Sequence, residues 1–145
     1  MLGKGQSLSD DHEVMRYFPS SKLKKDEHGN ILGFLPQAFQ DPDAVSVNWL
    51  EFFSGDRQQR IEASVRIFRS TLKVRSSSAF GTARVAVIKH VGKVYEATLR
   101  VVYAPEGSNL SHSEIRHIPT ENYELLAALA DEAFSCLIKN ADIID

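Results

Sequence analysis

Cysteine is almost absent from this sequence of 145 residues, in which Cys136 is the only one. A single thiol excludes an internal disulfide and a cysteine-rich zinc site. There is no run of about 18 apolar residues, so the sequence predicts no membrane-spanning helix and no membrane partner. The glycine-rich pattern ending in Gly-Lys-Ser or Gly-Lys-Thr, which cradles nucleotide phosphates, is also missing. We therefore expect neither a bound metal nor a cofactor.

The remaining composition is that of an ordinary globular domain. Apolar residues make up 43% of the chain and charged residues 25%, close to the averages for folded proteins, so extensive disorder is not expected. A single domain over residues 1–145 is predicted, with residues 1–10 flexible because they include Gly3 and Gly5. Residues 1–7 contain no apolar stretch of secretory length, and together with the single cysteine this favours a cytoplasmic location.

The distribution of charge is the most informative feature of the sequence. Residues 57–93 contain nine basic residues and one acid, Glu62, which gives a net charge of +8. Residues 1–56 carry −4 and residues 94–145 carry −6, so the whole chain has a net charge of only −2. A basic segment between two acidic ones indicates an anionic partner, which is either another molecule or the chain's own acidic ends.

Extended segments rich in Val, Ile and Phe predict an antiparallel sheet. Residues 83–103 are expected to form its central β-hairpin, because a Val- and Ile-rich run is followed by a turn at Gly92 and then by an alternating apolar strand. Shorter strands are predicted at residues 13–18, 31–35 and 44–49, which are bounded by proline or turn residues.

Two long helices, over about residues 56–73 and 120–140, are expected to cover one face of this sheet. In both segments apolar residues recur at helical spacing, as Ile61, Val65 and Phe68 do in the first. The predicted fold class is therefore α+β, with an antiparallel sheet packed by two helices.

The basic side of the first predicted helix, with the serine-rich loop that follows it, is the first candidate site. The predicted anion-binding residues are Arg66, Arg69, Lys73, Arg75, Ser76 and Ser77. Guanidinium and ammonium groups supply the charge and the N–H donors that phosphate recognition needs, and serine hydroxyls add further donors. The alternative is a solvated helix face, or one that is paired with the chain's own acids.

Residues 108–119, within the polar connection at residues 104–119, are the second candidate site. They contain His112 and His117, either of which would move a proton in a small enzyme, while Arg16 and Arg75 would hold an anionic substrate. This hypothesis requires the imidazole of His112 to lie in a cleft within reach of Arg16 or Asn48. The alternative is an ordered loop whose histidines hydrogen-bond to backbone groups.

Two further candidates lie on predicted strands or next to them. Trp49 and Phe52 belong to an aromatic cluster that could stack on a ring ligand or anchor an interface, and the alternative is a role in the core. Arg16 alternates with Val14 and Phe18, so a strand would point it inward. There it needs a carboxylate, a backbone partner or an anionic ligand.

A set of short motifs spans most of the chain and resembles a pattern in small bacterial proteins of uncharacterised function. The motifs are Arg16, Gly33-Phe34, Ala38-Phe39, Ser46-Val47-Asn48-Trp49, Ser111-His112-Ser113-Glu114-Ile115 and Pro119. The resemblance implies no known activity. It favours a bacterial cytoplasmic origin and an accessory role beside larger partners.

These observations favour a non-enzymatic accessory domain that recognises an anionic partner, either nucleic acid or an acidic protein surface, through the basic helix and serine loop. The first alternative is a homo-oligomeric or protein–protein interaction module with self-complementary charge. The second alternative is a small enzyme that uses the histidines and arginines on a phosphate-bearing substrate.

Overall fold

The computed structural model describes residues 2–144, which contain eight β-strands and three α-helices. The strands are β1 (Glu13–Phe18), β2 (Leu23–Lys25), β3 (Ile31–Phe34), β4 (Val45–Trp49), β5 (Ala79–Arg84), β6 (Arg100–Tyr103), β7 (His112–Arg116) and β8 (Cys136–Lys139). The helices are α1 (Arg57–Thr71), α2 (Val85–Val94) and α3 (Tyr123–Ala128), and α3 continues into a π-helical turn (Leu129–Ala133). Short 3₁₀ turns cover Ser20–Lys22, Pro36–Phe39, Leu50–Phe52 and Asn140–Asp142.

Six of the strands form one antiparallel sheet in the order β6-β7-β4-β1-β5-β8, while β2 and β3 form a separate hairpin. β1 lies inside the sheet and pairs with β5 over its whole length, from Glu13 opposite Arg84 to Phe18 opposite Ala79. The predicted α+β class with an antiparallel sheet is confirmed.

Helices cover both faces of the sheet. Met15 of β1 belongs to an apolar cluster with Ile61 and Val65 of α1. Its neighbour Val14 faces the other way, into a larger cluster that includes Ile88 of α2 and residues of α3. Successive residues of a strand point to opposite faces, so β1 is buried on both sides. The prediction that helices cover one face only is wrong.

α1 is found where the sequence predicts a helix, but it is shorter than predicted. The Asp56 carboxylate accepts a hydrogen bond from the Gln59 backbone N–H at 2.9 Å, and the Gln59 side chain accepts one from the Asp56 N–H at 2.8 Å. This reciprocal pair satisfies two backbone donors that the first helical turn leaves free. The helix ends at Thr71, so Lys73 lies in the loop beyond it.

The predicted β-hairpin over residues 83–103 is not present. β5 ends at Arg84, and the chain turns at once into α2 rather than continuing as a strand. The buried residues of α2 recur every three positions, at Val85, Ile88 and Val91, which is typical of one side of a helix. The high β-propensity of Val and Ile obscured this pattern in the sequence. Gly92 does not form a hairpin turn. A Cβ there would lie 2.6 Å from Leu99 Cγ, so glycine permits close packing of α2 on the following segment.

The second long helix, predicted over residues 120–140, is also absent. Asn122 caps α3 by accepting a hydrogen bond from the Leu125 N–H, but the helix and its π turn end at Ala133. Residues 136–139 then form β8, an edge strand in which Leu137 lies opposite Gly81 of β5. The apolar residues lie on a helix only as far as the end of the π turn. Pairing with β5 determines the conformation of the remainder, which is an example of tertiary context overriding local pattern.

The segment before β1 is attached to the sheet along part of its length. Gly5 N–H donates to Tyr103 O at 2.7 Å, and Leu8 N–H donates to Val101 O at 2.9 Å. Leu8 is buried. Residues 5–8 therefore follow the outer edge of β6, although flexibility was expected for residues 1–10.

Candidate functional site

The pairing of β1 with β4 stops part of the way along β1. Val14 lies opposite Trp49 and Met15 opposite Asn48, and within residues 2–144 no further pair of these two strands follows. β4 nevertheless stays paired with β7 over the rest of its length. A gap therefore opens in the middle of the sheet beside Arg16, the next residue of β1.

The Arg16 side chain spans this gap. Nη1 donates to Ser46 O and Nη2 donates to Ala38 O, each at 2.7 Å. The guanidinium carbon lies 5.8 Å from the ring centroids of both Phe18 and Phe39, a distance typical of cation–π contacts. Arg16 thus points inward and connects β1 to β4 and to the 3₁₀ turn that contains Ala38, taking the place of the missing ladder hydrogen bonds.

The Arg16 guanidinium carries a positive charge that no carboxylate contacts directly. Among residues 2–144, Arg16 forms no ion pair, and its buried Nε has no hydrogen-bond partner. Burial lowers the pKa of Arg16 to about 10, while the charge of Asp41 opposes that shift. The group stays protonated at neutral pH, and its lowered pKa reflects the cost of keeping the charge away from water.

An open cleft of about 480 Å³ lies against the guanidinium, between β1 and the C-terminal end of α1. It is lined by Arg16, Tyr17, Pro19, Ser20, Asp41, Ser46, Phe68, Leu72, Lys73 and Arg75. Three of these residues are cationic, and Asp41 is the one acid that lines the cleft in the described part of the chain. We call this space the arginine cleft.

The serine-rich loop holds Arg75 at the rim of the arginine cleft. The carbonyl oxygen of Arg75 accepts hydrogen bonds from Ser78 N–H at 3.1 Å, from the Ser78 hydroxyl and from Asn140 Nδ2 at 3.1 Å. The backbone at Arg75 is therefore fixed while its side chain is exposed. Ser76 and Ser77, the two predicted anion-binding serines, are exposed beside it.

Two of the six predicted anion-binding residues, Arg66 and Arg69, lie outside the arginine cleft. Arg69 donates to Oδ1 of Asn140 from Nε and Nη2, at 3.1 and 2.7 Å, and is engaged by the C-terminal segment. Arg66 is exposed on α1 but lines a separate shallow cleft with Gln59 and Glu62. The basic ridge predicted on α1 is therefore divided, and of its members only Lys73 lines the arginine cleft.

Part of the basic middle segment is neutralised within the chain. Arg57 Nε pairs with Glu13 at 2.8 Å, and Lys89 Nζ pairs with Asp10 at 2.8 Å, so two bases of residues 57–93 contact acids of the N-terminal segment. Within residues 2–144, Lys73 and Arg75 form no ion pair. Other bases of the segment, such as Arg66 and Lys93, also form no ion pair there but line different clefts, and Lys73 and Arg75 are the two unpaired bases of residues 57–93 that line the arginine cleft.

His112 lies on β7 and not in a loop, and its ring is buried next to β4. Nδ1 lies 2.8 Å from the carbonyl oxygen of Ala104, and Nε2 lies 3.1 Å from the Ser46 hydroxyl oxygen. A carbonyl oxygen only accepts, so Nδ1 must carry the proton, and in the neutral ring Nε2 accepts from the Ser46 hydroxyl. Glu106 Oε1 lies 3.8 Å from Nε2 and is exposed to solvent.

His112 and Arg16 converge on Ser46. A second cleft of about 210 Å³ is lined by Ser46, Asn48 and His112 among other residues, and it shares Ser46, Phe68 and Leu72 with the arginine cleft. Ser46 is exposed at the junction of the two clefts. His112 and Asn48 therefore line the same cleft, while Arg16 lines the adjoining one, and Ser46 contacts His112 through its hydroxyl group and Arg16 through its carbonyl oxygen.

The remaining candidates lie away from these clefts. His117 is exposed beyond the far end of β7, with a positive φ of 72°. Trp49 is buried in the core, where its indole N–H donates to His12 Nδ1 at 3.0 Å, and Phe52 packs against it with ring centroids 6.3 Å apart. In the structure, Trp49 offers no surface for stacking a ligand.

Sequence reasoning missed Ser46. It lies between two buried valines on β4, so its exposure follows from strand alternation, but nothing in the pattern indicates that β4 lies beside both β1 and β7. Asn48 was considered, and it lies in a buried network instead: Asn48 Nδ2 donates to Ser64 Oγ at 3.1 Å, and Asn109 Nδ2 donates to Asn48 Oδ1 at 2.7 Å.

Comparison of the chain with protein families, with curated protein sequences and with solved structures found no match. In residues 2–144, no three side chains among His, Cys, Asp and Glu lie close enough together to hold a metal ion. None of the helices in that part of the chain combines the length and the apolar character needed to cross a bilayer.

Proposed function

We propose that this chain is a binding domain for a small anionic ligand, whose terminal phosphate or carboxylate is held in the arginine cleft by Arg16, Lys73 and Arg75. The observation that carries the proposal is the half-buried Arg16 guanidinium, whose buried Nε has no hydrogen-bond partner in residues 2–144. The group adjoins the cleft with its charge uncompensated by any ion pair in those residues. Burying a cation is costly unless it is paired, so an anion at this point would complete a site that the fold has already formed.

Arg16 still has donors to offer. A guanidinium group carries five N–H donors, and two of those in Arg16 are used by the carbonyl groups of Ser46 and Ala38. Lys73 and Arg75 also line the cleft, and both side chains are exposed, so they can adjust to an anion that enters it. Arg16 is held in place by two backbone carbonyl groups, whereas Lys73 and Arg75 are exposed and adjustable. This combination suits the terminal anionic group of a small ligand better than the flat anionic surface of a macromolecule.

The division of the basic residues favours a small ligand over a long polyanion. Nucleic acid or an acidic protein surface would be expected to contact an extended row of cations. Here Arg69 is engaged by Asn140, and Arg66 lies in a different cleft. The volume of about 480 Å³ is within the range of pockets that bind small molecules.

The test is isothermal titration of the full chain with inorganic phosphate, inorganic pyrophosphate and adenosine 5′-monophosphate. We expect saturable binding of at least one of these ligands, lost in the Lys73→Glu, Arg75→Glu double variant. Arg66→Glu is the matched control, since it reverses an exposed arginine of α1 that lies outside the cleft. No binding of any of the three anions, or an equal loss in Arg66→Glu, would overturn the proposal.

A parallel titration with single- and double-stranded oligonucleotides separates the two kinds of anionic partner. Affinity for an extended polyanion falls steeply with salt, because each phosphate contact releases a counterion. Strongly salt-dependent oligonucleotide binding that is weakened by Arg66→Glu would replace the small-ligand proposal with nucleic-acid recognition by a wider surface.

A further inference from the structure

We propose that Ser46 and His112 form a nucleophile–base pair for acyl transfer, acting on an ester that also carries an anionic group. The assignment of the pair stands on its own geometry. Only the preference for an anionic substrate rests on the proposed function, because that preference comes from the adjoining arginine cleft.

The hydrogen bonds determine the tautomer of the neutral His112 ring. Ala104 O lies 2.8 Å from His112 Nδ1 and can only accept, so it holds the neutral ring in the tautomer whose Nε2 is free of hydrogen. Ser46 Oγ lies 3.1 Å from Nε2, within the range in which a general base takes a proton from a hydroxyl group. The backbone N–H of Ala104 also donates to His112 O at 3.0 Å, which fixes the residue from a second side.

The two members of the pair differ in exposure as the reaction requires. His112 is buried, with 7% of its surface exposed, and its ring is therefore fixed by packing. Ser46 is exposed at the junction of the two clefts, so a substrate can approach its hydroxyl group. A fixed base and an accessible nucleophile are the arrangement that nucleophilic catalysis uses.

Charges around the pair suit the groups that would form. Glu106 Oε1, at 3.8 Å from Nε2, would stabilise the imidazolium once His112 has taken the proton. Arg16 Nη1 donates to the backbone carbonyl oxygen of Ser46 at 2.7 Å, so a guanidinium lies beside the backbone of the nucleophile and adds positive charge to its surroundings.

The reaction proceeds in two balanced halves. Ser46 Oγ attacks the ester carbonyl carbon and its proton passes to His112 Nε2, while the carbonyl electron pair moves to oxygen. As the oxyanion collapses, the bond to the leaving alcohol breaks and the alcohol takes the proton from Nε2, which leaves an acyl ester on Ser46. Water then attacks this ester and gives a proton to Nε2. Ser46 Oγ leaves with that proton, and the carboxylic acid is released.

The experiment follows hydrolysis of two aryl esters by the full chain, the neutral 4-nitrophenyl acetate and the anionic mono(4-nitrophenyl) succinate. We expect release of nitrophenolate above the buffer rate, with the succinate preferred and the preference lost in the Lys73→Glu, Arg75→Glu double variant. A fluorophosphonate probe should add once per chain, and mass spectrometry of the digest should place the adduct on Ser46.

Matched variants separate the pair from general surface reactivity. Ser46→Ala and His112→Gln should each lower the rate by about 10²-fold or more, which is the usual contribution of such groups. Ser135→Ala and His28→Gln should not change it, since both residues are exposed and line neither of the two clefts. Ser46 is exposed, so its replacement is not expected to disturb folding, and it remains informative if His112→Gln does not fold.

Each outcome bears on one proposal or the other. An unchanged rate in Ser46→Ala, or an adduct on a different residue, would overturn the nucleophile assignment while phosphate binding could still stand. Hydrolysis that depends on Ser46 but shows no preference for the succinate, in a chain that binds no phosphate, would support the pair and remove the anionic-ligand proposal.

Discussion

Arg69 donates from Nη2 to Oδ1 of Asn140 at 2.7 Å, and this contact ties the last turn of α1 to the chain beyond β8. Nη2 also donates to Ile143 O at 2.9 Å. Asn140 in turn donates from Nδ2 to Arg75 O at 3.1 Å, and its N–H donates to Ser78 O at 3.1 Å. A residue near the C-terminal end of the chain thus positions the loop that presents Arg75 to the arginine cleft.

Replacing Asn140 by alanine should weaken both the fold and the proposed ligand binding. The change removes the Oδ1 acceptor of Arg69 and the side-chain donor to Arg75 O, while the carbonyl oxygens of Asn140 and Ile143 can still accept from Arg69 Nη2. We expect a loss of about 1–3 kcal/mol in the free energy of unfolding. Urea unfolding measures this loss. Phosphate affinity should fall as well, because the Arg75 loop is less firmly held.

Asn140→Asp is the matched control for that experiment. It keeps oxygen acceptors for Arg69 but removes the donor to Arg75 O. We therefore expect Asn140→Asp to cost less stability than Asn140→Ala does, and to lower phosphate affinity by a larger amount for each kcal/mol of stability that is lost. Unfolding of Asn140→Ala at the same urea concentration as the unaltered chain would show that these contacts contribute nothing.

Gly81 of β5 should not tolerate a side chain. A Cβ there would lie 2.6 Å from two ring atoms of Phe34 and 3.0 Å from Phe18, and those two rings are themselves stacked with centroids 3.8 Å apart. Both rings are fully buried and cannot move aside without disturbing the core. We expect Gly81→Ala to cost about 1–3 kcal/mol of stability, measured by urea or thermal unfolding.

Gly33→Ala provides the comparison, because it also lies on a strand and a Cβ there would meet nothing within 4 Å. Its backbone does not require glycine, since its φ is not in the left-handed region. We expect Gly33→Ala to leave stability unchanged or to raise it slightly, because alanine lowers the entropy of the unfolded chain. Equal destabilisation by both changes would contradict the packing argument.

The fold was predictable where local pattern and tertiary context agree. The first helix was predicted correctly because Ile61, Val65 and Phe68 form an apolar stripe after a capping residue. β1 was predicted correctly because Pro19 ends an apolar run. The hairpin prediction failed because Val and Ile favour strands intrinsically, whereas burial of one side of α2 against the sheet favours a helix. The last helix failed because β5 supplies a strand partner that the sequence alone does not reveal.

The site was less predictable than the fold because it depends on contacts distant in sequence. Alternation with Val14 and Phe18 is a local signal that predicts an inward Arg16, and its guanidinium donates to two backbone carbonyl groups. Its approach to Ser46 depends on where β1 and β4 separate, and no pattern in either strand encodes that point. The same is true of Arg69, whose partner Asn140 is 71 residues away.

Trp49 should report on His12 through its fluorescence, since it is the only tryptophan. The indole N–H donates to His12 Nδ1 at 3.0 Å, and the two rings stack with centroids 5.7 Å apart. His12→Phe would keep an aromatic ring but leave a buried indole donor without an acceptor. We expect a loss of about 1–3 kcal/mol and a changed emission maximum, whereas His28→Phe, at an exposed position, should alter neither. Identical emission spectra for His12→Phe and the unaltered chain would contradict the assigned hydrogen bond.

Arg16→Lys tests whether the guanidinium, rather than a positive charge alone, holds the sheet together and forms the binding site. A lysine ammonium is a single point of charge and cannot reach both Ser46 O and Ala38 O from the position that the planar guanidinium occupies. We expect a loss of about 1–3 kcal/mol in the free energy of unfolding, because at least one carbonyl group would be left without its donor.

The lowered pKa of Arg16 predicts how a bound anion affects the stability of the unaltered chain. Because folding lowers the pKa of Arg16 from its usual value to about 10, the charged guanidinium is less favourable in the folded chain than in the unfolded chain, and this cost is fully present below pH 10. A bound anion offsets the cost, so phosphate should raise the midpoint of thermal unfolding of the unaltered chain at pH 7. The rise should be much smaller in Arg16→Lys and unchanged in Arg66→Lys, whose side chain is exposed outside the cleft. If phosphate stabilised Arg16→Lys as strongly as the unaltered chain, Arg16 could not be the inner cation of the site.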